Sequence, residues 1–110
     1  MQTNSVRSIM SLSQVTRGDE TELFLKGRVD GPAANQLEVE VLSVIKTPVK
    51  RLYINLAEAN FLCSAGIRVL LQYHRQLKAQ GRQLLVSRTS PEIDQILELT
   101  GFRDTLVEKV

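Results

Sequence analysis

The side chains in this chain that could carry out chemistry are sparse. There is one cysteine, Cys63, one histidine, His74, and a serine, Ser64, beside the cysteine. Nucleophilic catalysis needs a thiol or hydroxyl within hydrogen-bond reach of a base. His74 falls about three helical turns after Cys63, so the two do not meet as nucleophile and base. His74 reads as a flank residue of a buried helix face. Cys63 reads as a small buried residue, although a thiol beside a helix N-terminus can be acidified and a thiol-dependent enzyme would use it. No cluster of Cys, His and carboxylates has metal-ligand spacing. Neither the G-x-G-x-x-G nor the G-x-x-x-x-G-K phosphate loop occurs. The expectation is a binding module with no catalytic residue, no metal and no cofactor.

Ser64 has the better-defined surroundings. It precedes an apolar, helix-patterned run, where a hydroxyl can accept a hydrogen bond from a first-turn amide that has no intrahelical partner. Ala65 and Gly66 then leave the first turn bare, so that a second molecule can approach the backbone. The positive end of the helix dipole favours a negative group at Ser64, and a phosphate on its hydroxyl would be well placed. The plain alternative is that Ser64 only caps the helix, the commonest use of serine at such a position. Arg68, Arg75, Lys78 and Arg82 recur on the outer side of the same helix, as a solvated face or as a surface for an acidic partner.

The elements that hold this stretch in place follow from periodicity and punctuation. Ile9 to Thr16 reads as an edge strand, Arg17-Gly18-Asp19-Glu20 as a turn, and Glu22 to Gly27 as the second arm of a hairpin. Asp30-Gly31-Pro32 opens a helix, with Asp30 as cap and Ala34, Leu37, Val41, Val44 and Ile45 as its apolar stripe, ending before Thr47-Pro48. Arg51 to Leu56 is a strand apolar on both faces, as in the centre of a parallel sheet. A polar loop from Ala57 to Ser64 leads into the second helix, which stops at Gly81. Gln83 to Ser87 is a strand, and Ser90-Pro91-Glu92 opens a helix that ends at Gly101, with Phe102 packing back beneath it. Thr105 to Val110 is a last strand. The order β-β-α-β-α-β-α-β gives a single α/β domain, a mostly parallel sheet with helices packed on it. Sites in such sheets gather beyond the carboxyl ends of the strands, where the Ala57–Ser64 loop must lie.

Composition narrows the class further. With 110 residues, 43% hydrophobic and 24% charged, the chain suits one globular domain, residues 1–8 being read as a frayed start. A net charge of +2 from 14 basic and 12 acidic residues is too balanced to argue for a nucleic-acid partner. No apolar run approaches the roughly 18 residues needed to insert into a bilayer, and no leader pattern appears. A single cysteine fits a reducing compartment, so the expected location is the cytoplasm.

Three segments carry a resemblance to a known family. They are Gly27-Arg28-Val29-Asp30; Leu52-Tyr53-Ile54-Asn55-Leu56 with Phe61-Leu62-Cys63-Ser64-Ala65-Gly66-Ile67; and Gly81-Arg82-Gln83-Leu84-Leu85-Val86 leading to Ser90-Pro91 and Leu97-Glu98-Leu99-Thr100-Gly101-Phe102. In these the chain resembles the STAS domain, typified by bacterial anti-sigma factor antagonists. The resemblance implies a protein that binds an anti-sigma factor, often a serine kinase of the histidine-kinase-like ATPase type, and so frees a sigma factor. In the family the motif at the start of the helix reads Asp-Ser-Ser/Thr-Gly, and its first serine is phosphorylated; Ser64 occupies that place. The implied partner surface is Asp30, Gly31, Cys63, Ser64, Ala65, Gly66 and Arg68. The sequence departs from the pattern at Cys63, where the family has Asp, at Ala65, where it has Ser or Thr, and at Asn55, which replaces the usual Asp at the end of the central strand. A second partner implied by the resemblance is the ATPase of an ABC-type lipid transport system, to which STAS-like subunits also attach.

Overall fold

The computed structural model describes residues 10–108. Alternating apolar residues build its sheet. Strands β1 (Ser11–Arg17) and β2 (Glu20–Val29) form the expected antiparallel hairpin, with Ser11 opposite Lys26 and Arg17 opposite Glu20. Gly18 turns the hairpin at φ 60°, a conformation cheap only for glycine. Strand β3 (Arg51–Leu62) lies parallel to β2, and β4 (Gln83–Thr89) parallel to β3, so the order across the sheet is β1-β2-β3-β4. Helices α1 (Gly31–Ile45), α2 (Ser64–Ala79) and α3 (Pro91–Thr100) follow β2, β3 and β4 in turn, and a short α4 (Arg103–Leu106) closes the order. Three helices therefore begin at the carboxyl ends of three parallel strands.

The core is one cluster. Leu23, Leu25, Leu52, Ile54, Leu56, Leu84 and Val86 are fully buried with Leu37 and Val41 of α1, Leu70 and Leu77 of α2, and Ile93 and Leu97 of α3. Each such side chain contributes roughly 1.5–3 kcal/mol. Of the apolar stripe read for α1, Ala34, Leu37, Val41 and Val44 are buried and Ile45 is half-buried, while α2 buries Gly66, Val69, Leu70, Tyr73 and Leu77. The predicted punctuation also holds: Ala33 N–H donates to Asp30 Oδ1 at 3.1 Å, Ile93 N–H to Ser90 Oγ at 3.2 Å, and Gly101 ends α3 at φ 81°.

Two elements differ from expectation. Strand β3 does not stop at Leu56 but runs on to Leu62, because β2, ten residues long, pairs with it as far as Val29 opposite Leu62. Glu58 and Asn60 point outward there while Ala59 and Leu62 are buried. The second difference is at the carboxyl end, where Thr105–Val110 is not a strand. Phe102 N–H donates to Leu97 O and reverses the chain, one helical turn carries Leu106 into the core, and Val107 alone bridges Val86. The expected frayed start, residues 1–8, Ile9 of the expected first strand, and residues 109–110 of the last strand lie outside the described residues. No helix among the described residues is long and apolar enough to cross a membrane.

Candidate functional site

The starts of α1 and α2 lie side by side because β2 and β3 end in register. Val29 pairs with Leu62, and the next amide, Cys63 N–H, donates to Val29 O at 2.9 Å. That bond holds Cys63 extended (φ −80°, ψ 170°), while its carbonyl accepts from Ile67 N–H at 3.1 Å and opens the helix. Cys63 is therefore the cap residue, and its side chain makes no capping bond. Ser64 is the first residue of α2 and not its cap, which corrects both the capping role and the loop predicted for it. Its side chain is exposed and forms no hydrogen bond among the described residues. The hydroxyl is left for another use.

The other residues of the predicted surface divide between two roles. Asp30 and Gly31 follow Val29 directly and so adjoin Cys63; the Asp30 carboxylate accepts from Ala33 N–H of α1 and Gly31 is open. Ala65 is half-buried, and Arg68 is exposed one turn further along α2. Gly66 faces inward: a Cβ there would lie 2.7 Å from Leu62 Cδ1 and 3.2 Å from Val29 Cγ1. Its smallness lets α2 approach the sheet and does not bare the backbone to a visitor. Cys63 is half-buried, more open than the buried residue expected.

The remaining candidates sit elsewhere. His74 is the predicted flank residue, with Nδ1 2.8 Å from Leu84 O, on the body of α2 and away from Cys63. Arg75 and Lys78 are exposed on α2 as expected, but Arg82 is not part of that face. Its guanidinium donates to Val49 O (2.9 Å), Ile45 O (3.0 Å) and Thr47 O (3.1 Å), closing the carboxyl end of α1 from across the fold. Asn55 is also not at the end of its strand. Six residues of β3 separate it from Leu62, about 23 Å of extended chain. Its Nδ2 donates to Glu22 Oε2 at 2.9 Å and its Oδ1 accepts from Ala57 N–H at 3.0 Å, a pairing that needs the amide.

Two supports escaped the sequence reading. Arg28 lies over the Phe61 ring, 4.2 Å from its centroid, an adjacent pair that only the β2–β3 register could reveal. Ser90, read as a cap, also donates from Oγ to Ala59 O at 2.6 Å, which fastens the far half of β3 to the start of α3. Among the described residues no group of three or more His, Cys, Asp or Glu side chains could hold a metal ion. The arrangement offers an exposed hydroxyl, the open Gly31 and an arginine on a surface, the means of recognition.

Comparison with known proteins bears on the family and the fold. The family model described as the STAS domain matches residues 11–110. BtrV of Bordetella bronchiseptica, named as a candidate anti-sigma factor antagonist, is 30% identical over 78 residues, which cover 71% of this chain and 67% of BtrV. An anti-sigma factor antagonist from Mycobacterium paratuberculosis superposes with a TM-score of 0.78 at 22% identity, over 88% of this chain and 82% of that one. The Bacillus antagonist SpoIIAA superposes in its unphosphorylated form (TM-score 0.74, 20% identity, 92% and 88% of the two chains). In its phosphorylated form the values are 0.67, 20%, 92% and 91%. These structural likenesses bear on the fold.

Proposed function

Because the chain belongs to the STAS domain family, we propose that it is an anti-sigma factor antagonist, a non-catalytic cytoplasmic regulator that binds an anti-sigma factor of the serine-kinase type and thereby frees a sigma factor. The observation that carries this reading is the state of Ser64: an exposed hydroxyl on the first turn of α2, not consumed in capping, beside the Asp30-Gly31 start of α1. The names of BtrV and of the mycobacterial protein support the antagonist role, and SpoIIAA in two phosphorylation states supports a switch.

The docking surface comprises Asp30, Gly31, Cys63, Ser64, Ala65 and Arg68, with Gly66 setting how close α2 lies to the sheet. The kinase transfers the terminal phosphoryl group of ATP to Ser64 Oγ, the hydroxyl proton passing to a base of the kinase and ADP departing. The product carries a charge of about −1.5 to −2 where the partner's atoms had been in contact, and the complex separates. Neither Cys63 nor Ala65 brings a carboxylate to this surface, so the charge on Ser64 meets no acid from the adjacent motif positions.

The test is reconstitution. The purified chain, titrated against each anti-sigma serine kinase of the source cell, is expected to form a stable complex with one of them and to restore sigma-dependent run-off transcription. Failure to bind any of them, with a transport ATPase and its permease bound instead, would replace this function with the transport one.

A further inference from the structure

An open groove runs along α2 from Ser64, floored by Ile67, Leu71 and Phe102 and rimmed by Arg68 and Arg75. We propose that this groove seats an acidic amphipathic helix of the partner protein, its apolar side chains on Ile67, Leu71 and Phe102 and its carboxylates on Arg68 and Arg75. The inference rests on the reading that a protein docks at the start of α2, and it adds the chemistry of the segment that does so.

Charge argues for this occupant. Helix α2 carries Arg68, Arg75 and Lys78 and not one Asp or Glu. Other arginines of the fold have partners, Arg51 in Glu20 at 2.7 Å, Arg103 in Asp94 at 2.6 Å and Arg82 in three carbonyls, while Arg17 and Arg88 lie on β1 and β4, away from this groove. Arg68 and Arg75 have neither an ion pair nor a hydrogen bond among the described residues. Two unpaired guanidinium groups beside an apolar floor suit bidentate carboxylates, which gain strength as the groove is closed to water.

The dimensions agree with a helix. Ser64, Ile67, Arg68, Leu71 and Arg75 form one stripe at helical spacing, about 16 Å long, matched by two to three turns of a partner helix anchored at every third or fourth residue. A second copy of this chain is poorly equipped to fill it. Its acidic helix α3 has Asp94 committed to Arg103 and exposes one large apolar side chain, Leu99, and its helix α1, which exposes Val39 and Leu42, has Glu38 committed to Tyr73 and leaves one carboxylate, Glu40, for two arginines.

The probe is a synthetic helical peptide with leucines along one face flanked by glutamates, compared with the same peptide bearing lysine for every glutamate, each titrated by fluorescence anisotropy and by amide chemical shift. The acidic peptide is expected to bind and to move the resonances of Ile67, Leu71 and Phe102. The double variant Arg68→Glu, Arg75→Glu, at two exposed positions that leave the fold intact, is expected to lose about tenfold in affinity and to reverse the preference. Equal binding of the two peptides, shifts on another face, or self-association of the chain abolished by the double variant would each overturn the proposal. The two readings fail separately. A chain that prefers the acidic peptide but binds no anti-sigma factor refutes the function above; a chain that binds the anti-sigma factor equally well with the double variant refutes the groove.

Discussion

Gly66 and Leu62 are packed so closely that a methyl group on the glycine would fall 2.7 Å from Leu62 Cδ1 and 3.2 Å from Val29 Cγ1. The start of α2 thus rests on the ends of β2 and β3 with no room between. Replacing Gly66 by Ala gains about 1 kcal/mol of helix propensity. Overpacking at a buried leucine costs about 1–3 kcal/mol. Gly66→Ala is therefore expected to lower stability by about 1 kcal/mol in urea denaturation. Made in a Leu62→Ala background, where the obstructing atom is gone, the same change is expected to be neutral or stabilising.

Asn55 joins Glu22 and Ser87 on the sheet face away from the core stripe, the Asn55 amide and the Ser87 hydroxyl both donating to Glu22 Oε2, at 2.9 and 2.8 Å. Asn55→Asp, which restores the residue usual in the resembled family, would set two carboxylates against each other. Their mutual repulsion raises the folded-state pKa of the pair above the unfolded values near 4, so the folded variant binds a proton more tightly. The penalty is then smallest below about pH 4 and grows as pH rises through about 4–6, reaching about 1–3 kcal/mol at neutrality. Stability curves at pH 4 and pH 7 check it, and Glu22→Gln in the same background should abolish the pH dependence.

Tyr73 of α2 donates to Glu38 Oε2 of α1 at 2.6 Å, and this hydrogen bond, then burial, then the Glu38 charge push its phenol up to about 12. An unfolded tyrosine ionises near 10. The folded state thus holds the proton more tightly, and the stability that this contributes is complete below about pH 10 and is lost between about pH 10 and 12. The advantage of the native chain over Tyr73→Phe, about 1 kcal/mol at pH 7 for one hydrogen bond, should shrink across that window when followed by denaturation. An advantage that does not change with pH would mean that the bond plays no part.

Much of the fold could be read from local chemistry. Asp30-Gly31-Pro32 and Ser90-Pro91 start helices because their side chains satisfy first-turn amides, and Gly101 stops one because it takes positive φ; these need only neighbours in sequence. What escaped depended on distant partners. Glu58-Ala59-Asn60 is polar and reads as loop, yet Lys26 to Val29 on one side and the Ser90 hydroxyl on the other make it strand. Thr105, Leu106 and Val107 alternate like a strand, but burial of Leu106 is met by a single helical turn. Arg82 continues the spacing of Arg68, Arg75 and Lys78 and still belongs to α1, because Gly81 has turned the chain before it. At the site, Ser64 was legible and its exact role was not: the bond from Cys63 N–H to Val29 O moves the cap back by one residue.

The most direct test of the account is the affinity of the anti-sigma factor for three forms of the chain, measured by calorimetric titration: native, Ser64→Ala and Ser64→Asp. Ser64 is exposed and makes no hydrogen bond among the described residues, so all three should fold alike. The account predicts that Ser64→Ala binds within about threefold of the native chain and that Ser64→Asp, carrying a charge where the partner approaches, binds about tenfold or more weakly. Equal affinity for Ser64→Asp and the native chain would contradict it.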